Sequence, residues 1–283
     1  MRNSKLFTCI AITLFITACS RDPKPGTPQA AAMGERYMRS MSDTLGHART
    51  FTFETDEQLE VLGSTGGKKT VRFTRKVTVR RPNGLYFELD GTGDGAPEIA
   101  AYYDGRTATL SQKPDGVWAQ AAVPATLDDM LDDVARRFGL PVPIGDVVYS
   151  SPYDAFIGKT TKGGFVGRET IDGVSCVKLD YADEYVEVRL WLPASGPALP
   201  RRLEIDYKRA PIPLTSHVDF KNWKLDLPVT DATFAFQPPA GHAPVEFGDF
   251  VDGMRLGTIS LGRRDTGSPP APGTKPVGAP AAN

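Results

Sequence analysis

The chain has 283 residues, and 40% of them are hydrophobic, which is enough for a buried core. The formal net charge is −1 and the pI is about 6.3, so no basic excess indicates nucleic-acid binding and no acidic tail indicates cation binding. Without its first 18 residues, the chain fits one large all-β domain or two small domains.

The amino terminus reads MRNSKLFTCIAITLFITAC and has the parts of a secretory signal. Arg2 and Lys5 precede an apolar run over residues 6–16, and small residues then lead to Cys19. The run is too short to span a bilayer, which takes about 20 residues. The ending Ile16-Thr17-Ala18-Cys19 resembles the lipobox of bacterial lipoproteins, which implies cleavage before Cys19 and acylation of that residue. A plain signal peptide with an incidental Cys19 is the alternative.

The residue after Cys19 indicates in which membrane the protein is anchored. Ser20 follows, and in Gram-negative bacteria an Asp at this position usually retains a lipoprotein in the inner membrane. We therefore predict a signal peptide over residues 1–18 and a protein anchored in the outer membrane, facing the periplasm. Two or more acyl chains would anchor it stably. The Pro-rich residues 19–29 are predicted to be a tether that holds the domain off the membrane.

Cysteine usage indicates no intramolecular disulfide. Cys9 leaves with the signal peptide, Cys19 is the acylation site, and Cys176 stands alone in a strand-like run. A buried, inert thiol is the interpretation we favour for Cys176. A reactive nucleophile would need a neighbouring base, and the sequence identifies none.

The first predicted element of the domain is a helix over residues 30–48. Its apolar positions recur at three- and four-residue steps and include Met33, Met38 and Met41. Methionine is adaptable, so such a stripe can form a binding surface, although packing in the core is the more common use.

The hydrophobic period changes to two from residue 49, which predicts β-strands. Phe51 and Phe53 lie in the first of these strands, and Phe73 and Phe87 lie in the next two. The Asn83-Gly84 pair predicts a turn between the second and third strands.

A helical block interrupts the strands over residues 126–138, and its apolar face includes Met130 and Leu131. A second short helix is predicted over residues 151–157. The period of two then returns in five segments, at 164–171, 174–181, 185–192, 201–208 and 215–225. The Pro/Gly/Ala-rich residues 263–283 are predicted to be a disordered tail.

This order of elements predicts a mainly β fold over residues 30–262. Long antiparallel hairpins with few helices favour one curved antiparallel sheet, a half-barrel with helices covering its concave face, rather than a doubly wound α/β fold.

Five phrases in order carry a family resemblance. They are VRRPNGL at 79–85, YDG at 103–105, FVGRETIDGV at 165–174, LPRRL at 199–203 and FAFQPPAG at 234–241. Together they resemble a family of predicted periplasmic proteins of unknown function that is grouped with the lipoprotein carriers LolA and LolB. The resemblance covers about residues 30–243. It implies a LolA/LolB-like half-barrel with helices plugging its concave side, a hollow that holds acyl chains in the carriers.

Several segments resemble motifs for catalysis, a metal or a cofactor, but each lacks a feature that the motif requires. Residues 91–95 (GTGDG) lack the helix of a dinucleotide loop, and residues 63–70 (GSTGGKKT) fail the spacing of a P-loop. The three histidines, His47, His217 and His242, lack metal-ligand spacing. We predict no catalytic residues, no metal and no cofactor.

Aromatic and methionine side chains remain as candidates for a binding site. If one sheet brings them to its concave face, they either fill a packed core or line a lipid-sized hollow. The candidate ligand-binding residues are Phe51, Phe53, Phe73, Phe87, Met38, Met41, Met130, Leu131 and Trp118.

The function predicted from these observations is non-catalytic binding of an apolar ligand, the acyl chains of a lipid or lipoprotein. The predicted partners are the membrane, through the lipid anchor, and that ligand, with no nucleic acid; the sequence does not indicate an oligomeric state. Two alternatives stay open, a structural or sensory envelope protein with a filled core and a hydrolase of envelope lipids with scattered residues.

Overall fold

The structure, a computed structural model, describes residues 22–62, 68–92, 98–140, 144–157, 161–208 and 214–257. The predicted signal peptide (1–18), Cys19 and the predicted tail (263–283) lie outside the described residues.

Over the described residues, twelve strands form one open sheet. Their spatial order is β12-β6-β5-β4-β3-β2-β1-β11-β10-β9-β8-β7, so β12 and β7 are its two edges. Every neighbouring pair is antiparallel except the short parallel pair β6–β12. The strands are β1 (Thr50–Leu62), β2 (Lys68–Arg80), β3 (Gly84–Thr92), β4 (Glu98–Tyr103), β5 (Thr107–Gln112), β6 (Val117–Ala122), β7 (Lys162–Ile171), β8 (Val174–Ala182), β9 (Val186–Pro193), β10 (Arg202–Tyr207), β11 (Leu214–Leu225) and β12 (Ala243–Pro244).

In the part of the chain that the structure describes, four α-helices accompany the sheet, namely α1 (Pro28–His47), α2 (Leu127–Phe138), α3 (Pro152–Phe156) and α4 (Phe247–Gly257). The side chains of Thr27 and Thr126 accept hydrogen bonds from backbone N–H groups at the starts of α1 and α2. Gly139 ends α2 in the left-handed conformation that glycine adopts at little cost. Helix α1 begins two residues before the predicted start, because Pro28 fits the first helical position.

The main core lies between the concave face of the sheet and the helices. Alternate residues of the strands point to this face, and all four helices contribute side chains to the same apolar cluster. We call this cluster the helix-packed core; its helical members include Met41 of α1, Leu127 of α2, Phe156 of α3 and Phe250 of α4. The predicted fold, one curved antiparallel sheet with helices covering its concave face, is confirmed.

Candidate ligand-binding hollow

Along the long strands β1 and β2, the residues of the concave face change from apolar to polar and back to apolar. Their register aligns inward residues in rows, from Phe51 opposite Val79 at one end to Leu59 opposite Val71 at the other. The first rows belong to the helix-packed core, and Thr55, Glu57 and Arg75 lie in the rows between the two ends. We call these three residues the polar band, because they are buried polar side chains between two apolar clusters of this face.

The polar band is a closed ion pair. The Nε of Arg75 donates to Oε1 of Glu57 at 2.9 Å, and its Nη2 donates to Oε2 at 3.1 Å. The hydroxyl of Thr55 donates to the same Oε1 at 2.6 Å. The two charged side chains are only 3% and 1% exposed. A pair buried to this degree depends on both partners, because either charge alone would be uncompensated.

Aromatic rings border the guanidinium of Arg75. Its Cζ lies 5.1 Å from the ring centroid of Phe87 and 5.8 Å from that of Phe73. Such contacts between a cation and an aromatic face are favourable and hold the side chain in one orientation. The polar band is therefore a fixed boundary between two apolar parts of the concave face.

A second apolar cluster, which we call the distal cluster, begins with Phe73 opposite Glu57 and extends past the polar band to the row of Leu59 and Val71. It consists of Leu59, Val71 and Phe73, with Leu89 packed against them. These three residues are 6% to 7% exposed. Within the described ranges, the cluster contains strand residues alone, whereas every helix packs into the helix-packed core. The concave face thus continues as a buried apolar cluster past the part to which the described helices contribute side chains.

The predicted site residues separate into three groups. Phe51, Phe53, Met38, Met41, Met130 and Leu131 all belong to the helix-packed core and are at most 3% exposed. Phe73 belongs to the distal cluster, and Phe87 is half-buried beside Arg75. The nine candidates therefore do not form one site: Phe87 packs against the helix-packed core, and Phe73 is the one candidate in the distal cluster.

Trp118 is not part of the concave face. Its neighbour Ala119 on β6 faces the helix-packed core, so alternation points Trp118 to the convex side. There its ring lies 5.4 Å from that of Phe236, which also packs against Tyr102 at 5.3 Å. The prediction that Trp118 lines the hollow misassigned the face of this short strand.

Glu57 and Arg75 are not among the residues predicted from the sequence to form the site. The pattern of β1 contained the information, since Glu57 stands at the same parity as Phe51, Phe53 and Leu59. A charged residue at an inward position of an alternating strand predicts a buried charge, and a buried charge predicts a partner on the next strand.

The convex face carries ion pairs on β9, β10 and β11. Arg189 of β9 donates to Glu187, Glu204 and Asp206, and Arg202 of β10 donates to Asp219. Burial opposes ionisation of Asp219, but hydrogen bonds from Arg202 and from His217 hold its pKa below the usual value. In the part of the chain that the structure describes, no group of three or more His, Cys, Asp and Glu residues could hold a metal ion.

Cys176 is buried on the convex side, in a small cluster with Ile171 and Trp191. Burial raises the pKa of its thiol, so the nucleophilic thiolate is disfavoured. His47, His217 and His242 lie at the end of α1, on β11 and just before β12, respectively. Among the described residues, Cys176 and the three histidines are thus not brought together as a nucleophile and a base.

Comparison with known proteins assigns the family. The profile of a family described as "Predicted periplasmic protein (DUF2092)" matches residues 34–248. The chain belongs to this family. The match runs from the first turns of α1 to the start of α4 and so includes the whole sheet. Membership of the DUF2092 family confirms the resemblance found in the sequence. No curated protein in the comparison matches the chain.

Many solved structures are similar to this chain, and three of them are as follows. The LolA superfamily protein NE2245 from Nitrosomonas europaea is 14% identical, with a TM-score of 0.35 over 73% of this chain and 99% of that one. Lipoprotein LppX from Mycobacterium tuberculosis is 13% identical, with a TM-score of 0.41 over 69% and 96%. An uncharacterized conserved protein from Thermus thermophilus is 7% identical, with a TM-score of 0.45 over 74% and 98%.

A helix of this DUF2092 protein would need about 20 predominantly apolar residues to cross a bilayer. Over the described ranges, no helix is both long and apolar enough to do so.

Proposed function

We propose that this chain is a periplasm-facing lipoprotein of the outer membrane that binds an apolar ligand at the distal cluster, without catalysis. The ligand is the acyl part of a lipid or of a lipoprotein. One observation carries the proposal, namely that the apolar concave face extends past the polar band into a cluster to which no described helix contributes. Each methylene of an acyl chain sheltered there contributes about 0.8 kcal/mol.

The polar band gives this binding surface a defined inner end. Arg75 donates hydrogen bonds to Glu57, and Thr55 donates to the same carboxylate. Two aromatic rings lie against the guanidinium of Arg75. An acyl chain that lies on Leu59, Val71 and Phe73 would meet this closed pair before it reached the helix-packed core. The ligand would therefore occupy the distal end without displacing α1 or α2.

The anchor at Cys19 complements this role. The lipobox and Ser20 support acylation and residence in the outer membrane. A protein held at a membrane meets lipid at a high effective concentration, so a weak apolar site can be occupied.

A binding role is favoured over the hydrolase alternative by the placement of nucleophilic groups. Cys176 is buried with a raised thiol pKa, and the histidines lie on three separate elements. The filled-core alternative, a structural or sensory protein, differs from the binding role in one measurable respect. It requires the distal cluster to be as tightly packed as the helix-packed core.

Two matched substitutions on β2 distinguish these possibilities. Val71 and Val77 face the same side of one strand, the first in the distal cluster and the second in the helix-packed core. Val77→Phe adds volume to a packed core and should destabilise the protein by about 1–3 kcal/mol. Val71→Phe should fill space that the ligand uses, and so should leave stability nearly unchanged.

Uptake of a fluorescent fatty acid is the binding assay. We expect the wild-type protein to bind the probe, Val71→Phe to bind it at least several times more weakly, and folded Val77→Phe to bind it normally. Equal destabilisation by both substitutions, together with no uptake by the wild-type protein, would favour the filled-core alternative.

A further inference from the structure

A groove of about 750 Å³ lies between the first turns of α1 and strand β7, away from the distal cluster. Its walls include Asp22, Lys24, Met33, Arg36, Tyr37 and Arg168. The guanidinium of Arg36 lies 5.9 Å from the ring centroid of Tyr37, and the Tyr37 hydroxyl donates to the carbonyl of Ala194 at 3.3 Å. The groove is therefore built by ordered side chains of two packed elements.

The residues before α1 are folded against the domain. Arg168 of β7 donates from Nε and Nη2 to the two carboxylate oxygens of Asp22, at 2.7 and 2.9 Å. The hydroxyl of Thr27 donates to the carbonyl of Lys24 at 2.7 Å and also caps α1. The segment 22–27 thus lies along the groove, held at both of its ends.

This attachment limits the distance between the domain and the membrane. Asp22 follows Cys19 by three residues, which span at most about 11 Å when fully extended. A chain acylated at Cys19 would therefore hold the Asp22–Arg168 pair within reach of the lipid headgroups. The domain would rest on the membrane by this face, whereas the predicted tether over residues 19–29 would have held it away.

The charge of the groove suits an anionic surface. Lys24, Arg36 and Arg168 oppose the single carboxylate of Asp22, although the whole chain has a net charge of −1. Within the described residues, Lys24 and Arg36 form no ion pair. A basic side chain close to an anionic lipid surface contributes roughly 1 kcal/mol, and Met33 and Tyr37 offer apolar and amphipathic contact at the same depth.

We propose that this groove is the face by which the anchored protein docks onto the anionic phospholipid headgroups of its membrane. The inference rests on the acylation of Cys19 in the proposed function. It orients the half-barrel, because β7 is one edge of the sheet and the β5–β6 turn lies near the other edge.

Protection from maleimide labelling tests this orientation. Ala32 is exposed and lines the groove, and Asp115 is exposed in the β5–β6 turn. The acylated, processed protein carrying Ala32→Cys or Asp115→Cys is reconstituted in vesicles of phosphatidylcholine with phosphatidylglycerol, and in vesicles of phosphatidylcholine alone. Cys176 is buried and gives little background.

We expect phosphatidylglycerol to slow the labelling of Ala32→Cys, with about a fivefold contribution from each basic side chain at the surface. Labelling of Asp115→Cys should not change. The added double substitution Lys24→Glu with Arg36→Glu should restore fast labelling of Ala32→Cys, while thermal stability and fatty-acid uptake stay unchanged.

Two outcomes would overturn the inference, and they differ in what they say of the proposed function. Equally fast labelling of both sites on an acylated protein would exclude docking by this face and leave acylation and ligand binding intact. An intact mass without lipid on Cys19 would exclude both the proposed anchor and the docking. Fatty-acid uptake by the same sample would still test ligand binding at the distal cluster.

Discussion

Gly34 of α1 lies directly against Gly164 of β7, and a Cβ atom added to Gly34 would lie 2.6 Å from the Cα of Gly164. The same added atom would lie 2.7 Å from the hydroxyl of Tyr181. Contacts this short with backbone atoms cannot be relieved by rotating a side chain, so the helix would have to move. The pair of glycines therefore sets how closely α1 packs on the edge of the sheet.

Gly34→Ala is expected to destabilise the protein by about 1–3 kcal/mol, measured by urea unfolding, because overpacking forces α1 away from β7. Gly253→Ala in α4 is the matched control, since nothing lies within 4 Å of its added Cβ. The control should be neutral or stabilising by up to about 1 kcal/mol, the helix propensity difference between glycine and alanine. Equal effects of the two substitutions would contradict the close contact.

Arg75→Met should cost about 3–5 kcal/mol of folding free energy, because it leaves the carboxylate of Glu57 buried without its partner. Adding Glu57→Gln to this variant should recover part of the loss, and a double-mutant cycle measures the coupling. Arg39→Met is the control, since the Arg39–Glu35 pair is 57% and 50% exposed and should contribute less than about 0.5 kcal/mol. Additive effects of the two changes at Glu57 and Arg75 would show that they do not act as a pair.

Asp146, in the short 3-10 turn Gly145–Val147, should make stability depend on pH. Burial raises its pKa well above the usual value, so the folded state holds a proton that the unfolded state releases above about pH 4. The stability that this carboxyl contributes is therefore present in acid and lost as the pH rises toward the pKa of the folded state.

Asp146→Asn removes this titration. The advantage of the variant in melting temperature over the wild-type protein should grow as the pH is raised from about 4 to neutrality. Asp115→Asn, at an exposed turn position, should show no such trend. A difference between Asp146→Asn and the wild-type protein that is constant with pH would argue against a raised pKa.

Cys19→Ser should abolish acylation and cleavage at the lipobox, and the protein should then no longer fractionate with the outer membrane as a lipidated form. Cys9→Ser changes a residue of the apolar run and should leave processing unchanged. A Cys19→Ser protein that is still cut and still carries lipid would exclude this residue as the anchor.

Much of the fold could be predicted from the sequence because the hydrophobic period changes sharply. A period of two from Phe51 onward identified strands, and three- and four-residue spacing identified α1 and α2. Helix α4 was missed, although Phe247, Phe250 and Val251 have helical spacing and are buried. Three glycines within α4 weaken its intrinsic propensity, and tertiary packing on the core overrides that weakness.

The candidate site was harder to predict, because parity gives the face of a residue and not its depth along a strand. Phe53 and Phe73 both point inward, yet Phe53 packs under the helices and Phe73 lies in the distal cluster, opposite Glu57. Which part of the face the helices cover depends on the lengths of loops and on contacts such as Gly34 with Gly164. Neither follows from local periodicity.

The central claim, that the distal end of the half-barrel binds acyl chains, is tested most directly by native mass spectrometry of the acylated protein. Phe73→Asp places a charge in the distal cluster, whereas Thr74→Asp places one on the convex face of the same strand. We predict a non-covalent lipid on the wild-type protein and on Thr74→Asp, and none on Phe73→Asp or Val71→Phe that remain folded. A wild-type protein without bound lipid, or lipid that survives both distal substitutions, would contradict the account.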